Sequence, residues 1–126
     1  MNEIEVVQAY KAAWNEDDKS RRRELLERSM IESVSFVSPL GEHVGRDAVA
    51  DLIGRFRRRT PNVSFDITSG VDAHHKVMRF RWEVRNPDGS VMAKGFQFAD
   101  QAEDGRFFRV VGFFGPVPAP GEATST

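Results

Sequence analysis

Three histidines, a serine before a proline, one tyrosine and a run of arginines are the residues of this chain that could do chemistry. His43 follows Ser38 closely enough for a serine–histidine pair, although a histidine in a loop ordinarily faces solvent. The Ser38 hydroxyl alone is a weak nucleophile, because it needs a base to activate it. His74 and His75 sit at the start of an alternating segment, where neighbours point to opposite faces, so they are not expected to chelate together. Asp66, Asp72 and Asp100 read as turn or solvent-face carboxylates, and no metal-ligand spacing connects them. Arg55, Arg57, Arg58 and Arg59 close a helix, where positive charge complements the exposed carbonyls. A phosphate or nucleic-acid role for that run stays open, but no aromatic platforms alternate with the arginines. Tyr10 lies on an apolar helix face, and a buried phenol needs a partner whatever its role.

The elements that must position these groups can be read from periodicity. Ile4, Val7 and Trp14 form one helical stripe, and Val6, Tyr10 and Ala13 an adjacent one. Asp18 or Ser20 can cap a second, short helix with Leu25, Leu26 and Met30 inward and Arg21, Arg22, Arg23 and Arg28 solvated. Residues 34–37 read as a strand, Pro39 and Gly41 as a turn. Val49, Leu52, Ile53 and Phe56 have the spacing of a third amphipathic helix, which Pro61 stops. The period then changes to two. Val63, Phe65 and Ile67 alternate with polar neighbours, as do Met78, Phe80, Trp82 and Val84. Asn86-Pro87-Asp88-Gly89 is a hairpin turn, and two further strands span 91–100 and 106–114. Helices followed by antiparallel strands predict an α+β domain in which helices cover one face of a curved sheet. Residues 116–126, rich in Pro, Ala and Thr, read as a flexible tail after a single domain over 1–115.

Bulk properties narrow the function. The chain has 126 residues, 18 Lys and Arg against 19 Asp and Glu, and a formal net charge of -1, so no general attraction to nucleic acid or to an anionic membrane is built in. With no cysteine there is neither a disulfide nor a thiol nucleophile. Apolar runs are short and the N-terminus lacks the features of a signal peptide, so a soluble cytoplasmic protein is expected. Nothing calls for a metal or another cofactor.

Three segments resemble one known superfamily: Val6-Val7-Gln8-Ala9-Tyr10-Lys11-Ala12-Ala13-Trp14-Asn15, Phe36-Val37-Ser38-Pro39-Leu40-Gly41, and Gly105-Arg106-Phe107-Phe108-Arg109-Val110-Val111-Gly112-Phe113-Phe114-Gly115. They are similar to the first helix, first pocket-wall strand and last strand of the ketosteroid isomerase and polyketide-cyclase-like (SnoaL-like) proteins of the nuclear transport factor 2-like superfamily. Gly45-Arg46-Asp47-Ala48 resembles its signature at the start of the third helix. The resemblance covers residues 2 to 115. It implies a cone-shaped antiparallel sheet wrapped around N-terminal helices, an apolar pocket, and a homodimer packed through the outer sheet face. In ketosteroid isomerases a tyrosine and a protonated aspartic acid bind the enolate oxygen while another aspartate moves the proton. Tyr10 falls on that tyrosine, Gln97 on the oxygen-binding aspartic acid, and Ser38 on the aspartate base. Ordinary steroid isomerisation is therefore not expected, although an amide at Gln97 can still donate a hydrogen bond.

If the sheet curls over the helices, Trp14, Phe56, Phe80, Trp82, Val110 and Phe114 are the candidate ligand contacts. Two functions stay open. One is an isomerase, cyclase or hydratase relative acting on an apolar oxygenated molecule, in which Tyr10 and Gln97 polarise an oxygen. The other is a non-catalytic binding or dimerisation module that has lost its base at Ser38.

Overall fold

The computed structural model describes residues 1 to 125. Its first helix, α1 (Glu3–Trp14), starts where the Glu5 N–H donates to the Asn2 side chain at 2.9 Å, with Glu3 and Glu5 beside the positive end of the helix dipole. It buries Val6, Val7, Tyr10, Ala13 and Trp14. Ile4, expected on the buried stripe, is exposed because the helix meets the core only from Val6 onward. Helix α2 (Lys19–Ser29) is capped by Asp18, whose carboxylate accepts the Arg21 N–H at 2.9 Å. Leu26 points inward as expected, but so does Arg22, because its Nη1 donates to the Glu16 carbonyl at 2.8 Å and draws the side chain under the α1–α2 connection.

Strand β1 (Met30–Ser38) follows directly and is longer than the segment expected over 34–37. It pairs antiparallel with β2 (Gly41–Val44) and parallel with β7 (Phe107–Phe114). Between β2 and the remaining strands lies α3 (Arg46–Arg59), which buries Val49, Leu52 and Ile53. Arg57, read from sequence as a dipole-complementing surface charge, is instead buried: its Nη1 donates to the Val63 carbonyl and its Nε to Asp17 at 2.8 Å. The chain continues through β3 (Ser64–Ile67), β4 (Asp72–His74), β5 (Val77–Arg85) and β6 (Val91–Gln101).

The sheet order is β2-β1-β7-β6-β5-β3, with β4 alongside β5. This curved, unclosed sheet wraps around three helices in an α+β arrangement. As the period-two pattern predicts, Met78, Phe80, Trp82 and Val84 are buried while Arg79, Arg81 and Arg85 are exposed. Register shifts between Val84 and Arg85 and between Asp100 and Gln101 increase the local twist that bends the sheet over the helices. Tyr10, Phe107, Leu26, Met30 and Ile53 form the fully buried centre.

The expectation that His74 and His75 point to opposite faces fails for a backbone reason. His75 and Lys76 have φ of 47° and 65°, so the chain turns after His74 and brings both rings to one side, with their Nδ1 atoms 3.1 Å apart. Among the described residues, no helix is long and apolar enough to cross a membrane.

Candidate functional site

A cavity of about 80 Å³ lies between α1, α3 and the curled sheet. Trp14 reaches it from α1, Phe36 and Ser38 from β1, and Phe56 from α3. Phe65, Trp82 and Val84 form one wall, and Ala93, Gln97, Gly112 and Phe114 the other. Its aromatic wall is a stack of three rings: Trp14 on Phe65 at 5.7 Å and Phe65 on Trp82 at 6.0 Å. Leu40, Met92 and Phe114 also line it and are 60, 42 and 44 % exposed, which makes them its mouth. Phe80 and Val110, expected among the ligand contacts, are buried core residues outside this lining.

Three polar atoms on residues that line this hollow are buried without a hydrogen-bond partner, Trp14 Nε1, Trp82 Nε1 and Gln97 Oε1; Tyr10 Oη is likewise unpartnered, but Tyr10, expected at the site, lies outside the lining. Tyr10 is fully buried, enclosed by the edges of Trp14, Phe65, Phe80 and Phe107. Burial pushes its phenol well above the ordinary tyrosine range; the side chains of Trp14 and Gln97 come near enough to oppose that rise in part, yet neither meets the geometry of a hydrogen bond. Gln97 stands between Phe80 of β5 and Gly112 of β7. Glycine at 112 leaves its amide room, since a Cβ there would lie 3.7 Å from Gln97 Nε2. Each unsatisfied buried group costs about 1–3 kcal/mol, so a cluster of them needs a reason.

The Ser38 hydroxyl accepts the Leu40 N–H at 3.1 Å and so holds the turn after β1. No Asp, Glu, His or Lys belongs to the cavity lining. His43, read from sequence as a loop residue, lies on β2 opposite Phe36, half-buried and outside the lining. Asp66 pairs with Lys11 at 2.9 Å, Asp72 with Arg79 at 2.8 Å, and Asp100 approaches Arg109 at 4.0 Å. Among the described residues, no three metal-ligating side chains cluster. The structure thus brings Tyr10, Gln97 and Trp14 together and places Ser38 on the cavity wall, whose lining holds no Asp, Glu, His or Lys among the described residues. Sequence reasoning missed the two indole N–H groups: both tryptophans read as inward-facing, and that reading already implied two donors with nothing polar to receive them.

A model of the SnoaL-like domain matches residues 7–110. No match is found among curated proteins. The solved structure of a SnoaL-like family protein from Agrobacterium tumefaciens, described as a candidate isomerase, is 34% identical, with 90% of this chain and 97% of that chain covered and a TM-score of 0.83. A nuclear transport factor 2-like protein of unknown function from Exiguobacterium shares the fold at 19% identity, covering 87% of this chain and 98% of that one with a TM-score of 0.70. So does a candidate polyketide cyclase from Sinorhizobium meliloti at 15% identity, over 86% of this chain and 93% of that one, TM-score 0.67. With residues 7–110 of its 126 inside the matched domain and a relative 34% identical over 90% of its length, this chain belongs to the SnoaL-like family.

Proposed function

We propose that the protein binds a small apolar molecule by its oxygen-bearing end and does so without acid–base catalysis. The observation that carries this reading is the set of unpartnered polar atoms on lining residues, Trp14 Nε1, Trp82 Nε1 and Gln97 Oε1, in a hollow lined otherwise by apolar groups and Ser38, with the unpartnered Tyr10 Oη buried behind them. The Trp14 and Trp82 indole N–H groups only donate, so the ligand atom that satisfies them is an acceptor such as a ketone, lactone or quinone oxygen, while Gln97 Oε1 itself accepts and is satisfied only by a donor or by turning its amide so that Nε2 faces the ligand. The volume of about 80 Å³ is far below the 300–1,000 Å³ of pockets that enclose a drug-sized ligand. It suits the carbonyl end of a ligand, with the remainder lying across Leu40, Met92 and Phe114 at the mouth. The Agrobacterium relative is described as a candidate isomerase, but proton transfer needs a base within hydrogen-bond reach of the substrate, and the lining here supplies none.

The chain's only two tryptophans both line the cavity, so intrinsic fluorescence reports its occupancy directly. Titration with a panel of cyclic ketones, terpenoid ketones and quinones should give saturable quenching for at least one class, weakened in Gln97→Leu. If no class saturates, or if Gln97→Leu binds as well as the parent, the reading fails.

A second reading concerns assembly. Phe98 and Phe113 are exposed on the outer sheet face with their rings 5.9 Å apart, and part of the surrounding charge is already partnered, Arg79 with Asp72 and Arg85 with Glu83, while Arg81 lies over the Phe96 ring at 5.2 Å. Such a face can meet a second copy if the second copy supplies a counter-charge to Arg81 and Lys94. Light scattering should return a dimer mass that Phe113→Glu reduces to the monomer. A monomeric parent at high concentration would dismiss this pairing.

A further inference from the structure

A second concave site lies on the helical side of the molecule and shares no residue with the apolar cavity. It is a groove of about 220 Å³ between α2 and α3, lined by Lys19 and Arg22 from one helix and by Asp51, Gly54, Arg55 and Arg58 from the other. Gly54 sits in the interior of α3, where glycine weakens a helix and no turn calls for it. Its use is local: a Cβ there would lie 3.0 Å from Arg22 Nη2 and 3.2 Å from Arg58 Nη1. Two guanidinium groups from different helices therefore converge on one bare patch of backbone.

Like charges brought together in this way repel unless a counter-charge joins them. Among the described residues, none of Lys19, Arg22, Arg55 and Arg58 has a carboxylate within ion-pair distance. The nearby acids are otherwise engaged: Asp17 is held by Arg57 and Glu16 by Arg21, which leaves Asp51 as the one acid of the groove. Arg22 is only 5 % exposed, and its Nε is buried with no partner while Nη1 serves the Glu16 carbonyl. A buried guanidinium with an unused donor, facing a second guanidinium across a glycine, lacks a negatively charged acceptor. The whole chain is slightly acidic, so this concentration of cations is not a reflection of general charge.

We propose that the α2–α3 groove binds a tetrahedral oxyanion, the phosphate group of a small molecule, with Arg22 and Arg58 as its inner donors and Lys19 and Arg55 as outer cations. Planar guanidinium forks match the oxygens of such a group. The groove volume suits one phosphate and leaves a longer polyanion no enclosed path.

The test is an NMR titration of the full chain at low ionic strength with inorganic phosphate and, separately, with glycerol 3-phosphate, following backbone amides and arginine Nε–H signals. Saturable shifts centred on Arg22, Gly54 and Arg58 are expected for both, with the tighter of the two identifying free phosphate or a phosphate ester as the source. Arg58→Gln should weaken binding about 10- to 100-fold, as loss of a charged hydrogen bond does. Gly54→Ala should weaken it as well, by placing a methyl group against both guanidiniums, and Arg28→Gln, outside the groove near the end of α2, should not. Shifts that grow linearly without saturation, that spread over every basic surface, or that persist in Arg58→Gln overturn the proposal, as does a marked preference for an RNA oligomer over both small anions.

Discussion

Asn15 and Phe65 are joined by two hydrogen bonds: the Phe65 N–H donates to Asn15 Oδ1 at 2.7 Å, and Asn15 Nδ2 donates to the Phe65 carbonyl at 2.8 Å. Because β3 is the last strand in the sheet order, the outer edge of Phe65 has no neighbouring strand, and the amide of Asn15 takes that place. The same contact fixes the end of α1 to the middle ring of the Trp14–Phe65–Trp82 stack. Asn15→Ala removes both partners from half-buried backbone groups, so a loss of about 2 kcal/mol is expected in urea unfolding. Asn15→Asp keeps the acceptor but sets a carboxylate against the Phe65 carbonyl, and should be no more stable than the alanine variant.

Arg57 makes a comparable tie between the α1–α2 connection, α3 and the residue that precedes β3, and it carries a pH signature. Its hydrogen bond holds the Asp17 carboxyl below the ordinary aspartate value of 3.8, with a smaller contribution from its charge and that of Arg22. A depressed folded pKa means that this contribution is complete above the unfolded value and is lost as the pH falls through the folded one. Asp17→Asn should therefore flatten the stability profile below pH 3.8. The side chain of Asp17 is 69 % exposed, so solvent screening keeps the effect well under about 1 kcal/mol. Arg57→Ala should cost more, about 2 kcal/mol, because it also strands the Val63 carbonyl.

Tyr10 is the only tyrosine, which lets its ionisation be followed by phenolate absorbance without interference. Burial raises its pKa, so the folded protein should show no phenolate at a pH where an exposed tyrosine titrates. For a group that is neutral when protonated, a raised folded pKa makes stability fall as pH rises past the unfolded value near 10, by about 1.4 kcal/mol per pH unit. Tyr10→Phe should abolish that alkaline slope. It should also leave stability at neutral pH unchanged or higher by up to about 1 kcal/mol, since it removes a hydroxyl that has no partner.

Gly112 offers a way to fill the cavity without disturbing the fold. A Cβ at this position meets Ser38 Cβ at 3.4 Å and Gln97 Nε2 at 3.7 Å, ordinary contacts that leave the neighbours in place. Gly112→Ala should unfold at the same temperature as the parent or higher, while ketone binding read by tryptophan fluorescence falls by about tenfold or more, as steric overlap in a small pocket requires. Gly95→Ala is the contrasting case. Its Cβ would overlap the Phe113 carbonyl and press on Trp82 at 3.0 Å, so a loss of about 1–3 kcal/mol is expected from overpacking.

The parts of the fold that could be read from sequence are those set by local period. Alternation placed Phe80 and Trp82 inside and Arg79 and Arg81 outside, and the spacing of Val49, Ile53 and Phe56 marked the inner face of α3. Arg22 and Arg57 were read as solvated because burial of a guanidinium depends on acceptors far along or across the chain, the Glu16 and Val63 carbonyls, that no periodicity reports. His74 and His75 failed through two non-glycine residues in the left-handed region, for which composition carries little signal. At the site, the inward helical stripe marked Trp14, whereas Tyr10, Ser38 and Gln97 were reached only through the resemblance to ketosteroid isomerases, not from their period or type. The size of the cavity was legible in neither way, because it depends on how Leu40, Met92 and Phe114 fill the mouth.

Ser38 permits a direct test of how a ligand would lie in the cavity. Its hydroxyl accepts the Leu40 N–H at 3.1 Å, and the carboxylate of Ser38→Asp can accept the same bond, so the turn is preserved. The new carboxylate would sit in an apolar lining, where desolvation raises its pKa toward the range useful for a base. If a ketone binds with its oxygen toward Gln97 and Trp14, its α-carbon lies beside position 38. Ser38→Asp should then accelerate exchange of the α-hydrogens of a small cyclic ketone with solvent deuterium by about 100-fold or more over the parent, with a rate that falls as the new carboxylate is protonated. Ser38→Asn, of the same shape but without basicity, should match the parent. Equal rates in the Asp and Asn variants would show that position 38 does not face the α-carbon and that the oxygen of the ligand points elsewhere.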